Sequence, residues 1–261
     1  LDRFAEYPSD LELRTNEEMN KSLYGGSVNI DFDENAHKYL VNSKPTRGVT
    51  TILNVLNKPA LLNWGVNMAV DHIEKNIFAD GFGFEVDAMT QIFIDARNAH
   101  NKIAKDAANT GTTVHQAIER WIKDAELLVE VFEPEAELAY RSFIKWQSDN
   151  KVKFEKSEEI IYSKEHDYAG TYDFICNIDG KRYMGDLKTS SGIYPAYWMQ
   201  VAAYQQAVQE ENPNEKFDGM IIVRCGKDGK LEVKFNDNYE GNRDAFNHCV
   251  ALDKFLNGKT I

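Results

Sequence analysis

Cysteine is scarce in this chain: three in 261 residues, Cys176, Cys225 and Cys249, far apart in the sequence. Odd in number and widely spaced, they exclude a disulfide framework and a zinc-finger pattern, and read as buried reduced thiols in a reducing compartment. No apolar run is long enough to cross a bilayer, and there is no internal repeat or low-complexity segment. Positive charge is in deficit, with 30 Lys and Arg against 42 Asp and Glu, a net −12 and a pI near 5.0. That balance argues against coating duplex DNA through a broad basic surface and favours a narrow, enclosed track if a polyanion is bound at all. The chain opens on Leu1 rather than methionine, shows no signal-peptide pattern and reads as trimmed. A cytoplasmic location is expected, with a mitochondrial one left open. Core-forming residues, by contrast, are plentiful: 43% hydrophobic, with 14 Phe and 12 Tyr. The length suits one large domain, or a core carrying a sizeable extension.

The most informative stretch is Tyr168-Ala-Gly-Thr-Tyr-Asp173, followed by Gly185-Asp-Leu-Lys-Thr189. Asp179-Gly180 between them is a hairpin signal, with Phe174–Ile178 and Lys181–Lys188 as the two arms. Asp186 and Lys188 share a strand face because side chains alternate with a period of two. Asp173 and Asp186 therefore come from adjacent strands, an arrangement suited to a hard divalent cation. Lys188 beside them can stabilise developing negative charge or help activate water. Aspartate is depleted in strand interiors, and Asp186 lies between the apolar Met184 and Leu187. Singly, each would be an ordinary strand-end aspartate or surface lysine; it is their convergence that points to a site.

At these residues the chain resembles the PD-(D/E)XK nuclease superfamily, and within it the RecB-like exonuclease branch. Asp173 and Asp186-Leu-Lys188 match the namesake motif, without its proline. Gly111-Thr-Thr-Val-His115 resembles the branch's Gly-x-x-x-His helix opening, and Gln200-Val-Ala-Ala-Tyr204 its Gln-x-x-x-Tyr motif. The four motifs occur in order across residues 111–204, and Val49-Thr-Thr-Ile-Leu53 is similar to a segment near the start of phage-type members. The resemblance implies a Mg²⁺ or Mn²⁺ ion held by His115, Asp173, Asp186 and the Leu187 carbonyl, with Lys188 completing the site. It implies a further carboxylate upstream of the Asp173 strand, Glu158 or Glu159; spacing favours Glu158. It places Gln200 and Tyr204 against the nucleic-acid backbone or the lysine. No iron–sulfur cluster is expected, because such a cluster takes four cysteines.

Other candidates come from spacing. Glu119 lies one turn beyond His115 and can orient it or a metal-bound water, or else pair on the surface with Arg120. Thr189, Ser190 and Ser191 can donate to phosphates, or form a solvated loop. Trp64, Trp121, Tyr197 and Trp198 can stack on unpaired bases, or belong to the core.

Patterning along the chain predicts a polar arm over 1–26 and a hairpin over 28–41. A third strand is expected at 47–52, and helices over 60–78 and 86–108 about a turn at 80–83. Thr112 or Thr113 is expected to cap a helix running to about 124. A helix over 135–149 follows, then strands at 152–162, 173–178 and 181–188. A helix over 196–210, a buried strand at 218–224, a strand at 230–235 and a closing helix over 239–257 complete the chain. The expected fold is α/β (α+β): an αβββαβ, restriction-endonuclease-like PD-(D/E)XK core over 109–261, with an N-terminal hairpin and helical extension over 1–108.

The function this implies is a stand-alone Mg²⁺- or Mn²⁺-dependent DNA exonuclease that leaves 5′-phosphates. Its substrate would be DNA, with single-stranded ends preferred, and its setting replication, repair or recombination in bacteria or phage. The same fold also serves structure-specific endonucleases, and a non-catalytic DNA-binding subunit would keep the fold without the chemistry. Oligomeric state is left open.

Overall fold

The computed structural model describes residues 19–33, 36, 38–56, 58–79, 86–124 and 133–257. Nine strands and six helices occur among them: β1 Met19–Leu23, β2 Val28–Asp33, β3 Lys38–Val41, β4 Lys44–Gly48, α1 Val49–Ile52, α2 Pro59–Ala79, α3 Val86–Asp124, α4 Pro134–Asp149, β5 Lys153–Ser163, β6 Tyr168–Ile178, β7 Lys181–Lys188, α5 Pro195–Glu211, β8 Gly219–Cys225, β9 Leu231–Asn236 and α6 Tyr239–Leu256. The chain is thus a mixed α/β protein built on one mixed sheet. The reading of 1–18 as an arm and of 80–83 as a turn lies outside the described residues.

Strand β6 organises the sheet. Along one edge it pairs antiparallel with β5. Its other edge is shared: β7 pairs antiparallel with Phe174–Ile178, and β4 pairs parallel with Tyr168 and Ala169. The ladder between β6 and β7 stops at Phe174–Gly185, so the two strands part just where Asp173 and Asp186 follow. Beyond that point β7 runs parallel to β8, which pairs with β9.

Alternation along β8 sends Met220 and Ile222 to one face, against α5 and α6. Ile221, Val223 and Cys225 go to the other, against α4 and the C-terminal part of α3. A smaller core lies between the N-terminal strands and β5–β6, around Ile30, Phe32, Tyr39 and Ile160. Strand β1 folds back beside β5, where Lys21 pairs with Glu159 and the Tyr24 hydroxyl donates to the Tyr162 carbonyl at 2.8 Å.

Three local expectations are corrected. Residues 19–23 form a strand, because β1 takes a full ladder of partners on β2. The third strand spans 44–48, and Val49–Ile52 turns into helix α1 so that Val49 and Ile52 can bury against α5 and α6. Thr112 and Thr113 do not cap a helix: α3 is continuous, and their hydroxyls donate back to the carbonyls of Ala108 and Asn109, each at 3.1 Å. The expected boundary between 108 and 109 therefore falls inside this 39-residue helix.

No helix among the described residues is long and apolar enough to cross a membrane. The three cysteines are free and buried, Cys176 and Cys225 on one face of the sheet and Cys249 on the other.

Candidate metal centre

The parting of β6 and β7 opens a cavity of about 510 Å³. One wall is α3, which presents Gly111, His115 and Glu119 at successive turns. Gly111 brings the helix close to the loop after β7: a Cβ there would lie 2.9 Å from Thr189 Oγ1, and that hydroxyl would have to turn away. The opposite wall comes from the N-terminal strands, where the stacked rings of Phe32 and Tyr39 lie 4.5 Å apart. The Tyr39 hydroxyl bonds Thr171 Oγ1 at 3.1 Å. Nothing in the 28–41 pattern marked these two aromatics as anything but strand residues; only the folding of that sheet onto β6 brings them here.

Ligand atoms of His115, Glu158 and Asp173 all lie within 4.8 Å of one another, making a group that can hold a metal ion. His115 Nδ1 is 3.6 Å from Asp173 Oδ2, and that oxygen accepts the Leu187 N–H at 2.6 Å. Of the two adjacent glutamates on β5, Glu158 faces the cavity and Glu159 faces Lys21. Glu158 has φ +52°, a left-handed conformation that a non-glycine residue adopts at a cost.

Asp186 stands beside this group rather than within it. Fully buried, it accepts Gln200 Nε2 at 3.2 Å on one oxygen and pairs with Lys188 Nζ at 2.5 Å on the other. Gln200 Nε2 also reaches the Tyr204 hydroxyl at 2.8 Å. The expected ligand set joined Asp186 to His115 and Asp173; the geometry puts Glu158 in that company and ties Asp186 to the lysine. Lys188 Nζ lies 4.9 Å from the centre of the Tyr197 ring, within cation–π range.

The remaining candidates disperse. Glu119 is buried at the cavity wall and accepts Lys123 Nζ at 2.6 Å. Thr189 lines the cavity. Ser190 turns its hydroxyl to the Gly192 carbonyl at 2.9 Å, while its own carbonyl accepts Arg224 Nε at 2.5 Å. Ser191 pairs with the Tyr194 hydroxyl at 2.8 Å. Trp121 is edge-on to Phe143 and Phe154 under the sheet, a core position, and Tyr197 and Trp198 pack partly buried against the α5–α6 core. Trp64 is half-buried on α2.

Burial sets the electrostatics. It pushes Glu158 up to about 9, with Asp173 and Glu119 adding to the effect. It raises Asp186 to about 6 against the pull of Lys188, and raises Asp173 in the same sense. His115 falls to about 4, through burial and then the Lys188 charge, so its ring is neutral near pH 7 and free to act as a ligand. For Lys188 burial favours the neutral amine, but Asp186 and Asp173 outweigh it and the ammonium is retained.

No protein-family model and no curated protein matches the chain. Solved structures do match, among them the crystal structure of SSO0001. It shares 15% identity over 56% of this chain and 73% of that chain, with a TM-score of 0.29. A likeness of that size carries no argument about function.

Proposed function

We propose that this chain is a divalent-cation-dependent deoxyribonuclease, an exonuclease of the RecB-like branch of the PD-(D/E)XK superfamily that acts on DNA ends. The observation that carries the reading is the grouping of His115, Glu158 and Asp173 beside the Asp186–Lys188 pair in one cavity. The element order α4–β5–β6–β7–α5–β8 also agrees with the αβββαβ pattern of that superfamily.

The donor set fits a cation such as Mg²⁺ or Mn²⁺: one neutral imidazole and carboxylates, with Asp173 and Glu158 crowded together where burial alone would keep Glu158 protonated. A cation bound there would polarise a phosphoryl oxygen and acidify a water molecule. Lys188, held charged by Asp186, offers an ammonium to the negative charge that builds on a phosphate under attack. Gln200 and Tyr204 fix Asp186, and so the lysine. Thr189 at the cavity rim is placed to donate to a phosphate. The Phe32–Tyr39 wall closes one side, which favours a strand end over a passing duplex. A role in DNA replication, repair or recombination follows from this activity.

The test is incubation with Mg²⁺ or Mn²⁺ and end-labelled single-stranded, duplex and circular DNA, beside Lys188→Ala. Degradation of linear strands, lost in the variant, is the expected result, and end-labelling gives the polarity. Cutting of circles would move the assignment to an endonuclease. Binding without cleavage would leave a non-catalytic DNA-binding subunit.

A further inference from the structure

Strand β9 ends the sheet: among the described residues it pairs with β8 alone. Its ladder to β8 runs without a bulge from Met220–Asn236 to Cys225–Leu231, and the strand holds no proline. Bulges and prolines commonly keep a sheet edge from pairing with another chain, and β9 has neither. The Gly226 N–H donates to the Lys230 carbonyl at 2.8 Å, which fixes the parity of the ladder. Counted from there, Glu232, Lys234 and Asn236 turn their backbone groups to β8, while Leu231, Val233 and Phe235 turn theirs to the open edge.

The side chains of Leu231 and Val233 pack partly buried against the α4 core, and Phe235 stands in the same row, its ring 5.0 Å from that of Tyr183. Phe235 is nevertheless 53% exposed. So is Leu138 of α4, at 47%, beside Gly229 just ahead of the strand. The opposite face carries Glu232 and Lys234, paired with each other at 2.8 Å.

A second copy of β9, laid antiparallel about a two-fold axis, can bond this edge. An axis at Glu232 would set that carboxylate against itself, and an axis at Lys234 would oppose two lysines. An axis at Val233 pairs Leu231 with Phe235 of the other copy through the backbone, and sets Glu232 opposite its Lys234 at both ends. That register engages the outward backbone of all three residues and matches every charge. It also lays the exposed Phe235 over Leu231 of the other copy, near that copy's Leu138.

We infer that β9 is a homodimer interface, in which two sheets join edge to edge, antiparallel about Val233, into one continuous sheet. This pairing is independent of the activity proposed above.

Sedimentation of the full chain over a wide concentration range tests it. A monomer–dimer equilibrium is expected. Val233→Pro removes an N–H that faces away from β8 and leaves a monomer. Glu232→Lys alone sets lysine against Lys234 at both ends and weakens the dimer at least about tenfold. Glu232→Lys combined with Lys234→Glu restores it. The register has its own test, because directly opposed residues that are not hydrogen-bonded lie about 4.5 Å apart at Cα, within disulfide reach. Glu232→Cys mixed with Lys234→Cys should form an intermolecular disulfide under mild oxidation, and neither variant alone should. Circular dichroism checks that each variant keeps the fold, and the charge swap reads the interface even if Val233→Pro does not fold. A wild-type chain that stays monomeric overturns the inference. So does a dimer indifferent to Glu232→Lys, a swap that fails to restore it, or a mixture that does not cross-link.

Discussion

Glu158 and Asp173 stand across from each other on adjacent antiparallel strands, between the paired rows Ser157–Phe174 and Glu159–Tyr172, and both line the same cavity. Like charges in that relationship repel. A fold that retains the pair stores an electrostatic cost that a bound dication would remove.

The cost has a pH signature. Native Glu158 keeps its proton up to about 9, whereas the unfolded side chain releases it near 4.5. The native state then binds more protons across that window, and stability falls as pH rises through it. His115 works in the opposite sense, but only between about 4 and 6.5, and Asp186, half-titrated at about 6, adds to the decline only at the low end of the range. Thermal unfolding in chelator should therefore show a declining midpoint from pH 6.5 to 9, and Glu158→Gln should flatten it. A wild-type profile already flat over that range would refute the assignment.

Cation binding should release protons for the same reason, because ligands must be deprotonated to coordinate. Calorimetry with Mn²⁺ in buffers of different ionisation enthalpy measures the number released. Glu158→Gln should release fewer and bind at least about tenfold more weakly.

Glu158→Gly should separate stability from function. Glycine adopts the left-handed φ of +52° without strain, and the facing carboxyl is gone. A gain of about 1 kcal/mol is expected, read as a higher unfolding midpoint, together with weakened Mn²⁺ binding. A lower midpoint would show that the backbone there is not strained.

Lys188→Met should lower the rate of DNA cleavage by about 10²- to 10⁴-fold. Mn²⁺ binding should survive, since the lysine is not among the grouped donors. Loss of both together would mean that Lys188 holds the site's shape rather than acting on the phosphate.

Gly185→Ala tests the strand junction. A Cβ at 185 would fall 1.9 Å from Phe174 Cε2, inside the hairpin. Destabilisation of about 3 kcal/mol is expected, measured by denaturant unfolding, with partial recovery when Phe174→Leu is added. Full stability in the single variant would contradict the packing described.

From Pro134 to Leu256 the order of elements was legible in the pattern, because local signals and tertiary contacts agree there. Asp179 and Gly180 both take positive φ, 51° and 81°, as the hairpin signal implied. The apolar run at 219–223 is a strand buried on both faces. The start of α3 at Val86 was legible, but its continuity through 109–112 was not. Gly111-Thr-Thr looked like a helix opening, yet Gly111 lies within the helix close to Thr189, and the threonine hydroxyls bond backward within the helix. The third strand was placed late for a similar reason: Val49 and Ile52 satisfy a strand pattern, but they are buried from a helical turn.

The sequence by itself singled out His115, Asp173, Asp186 and Lys188 and narrowed a further carboxylate to Glu158 or Glu159, on elements whose type follows from periodicity and turn residues. Which of them meet was decided only by tertiary structure. The parting of β6 from β7 after Phe174–Gly185 makes the cavity, and the turn of Glu158 into it sets that residue beside His115 and Asp173 while Asp186 goes to Lys188. The folding-back of the N-terminal strands supplies the Phe32–Tyr39 wall. Such contacts join residues far apart in the chain, and their geometry depends on the sheet as a whole, which no local run of side chains encodes.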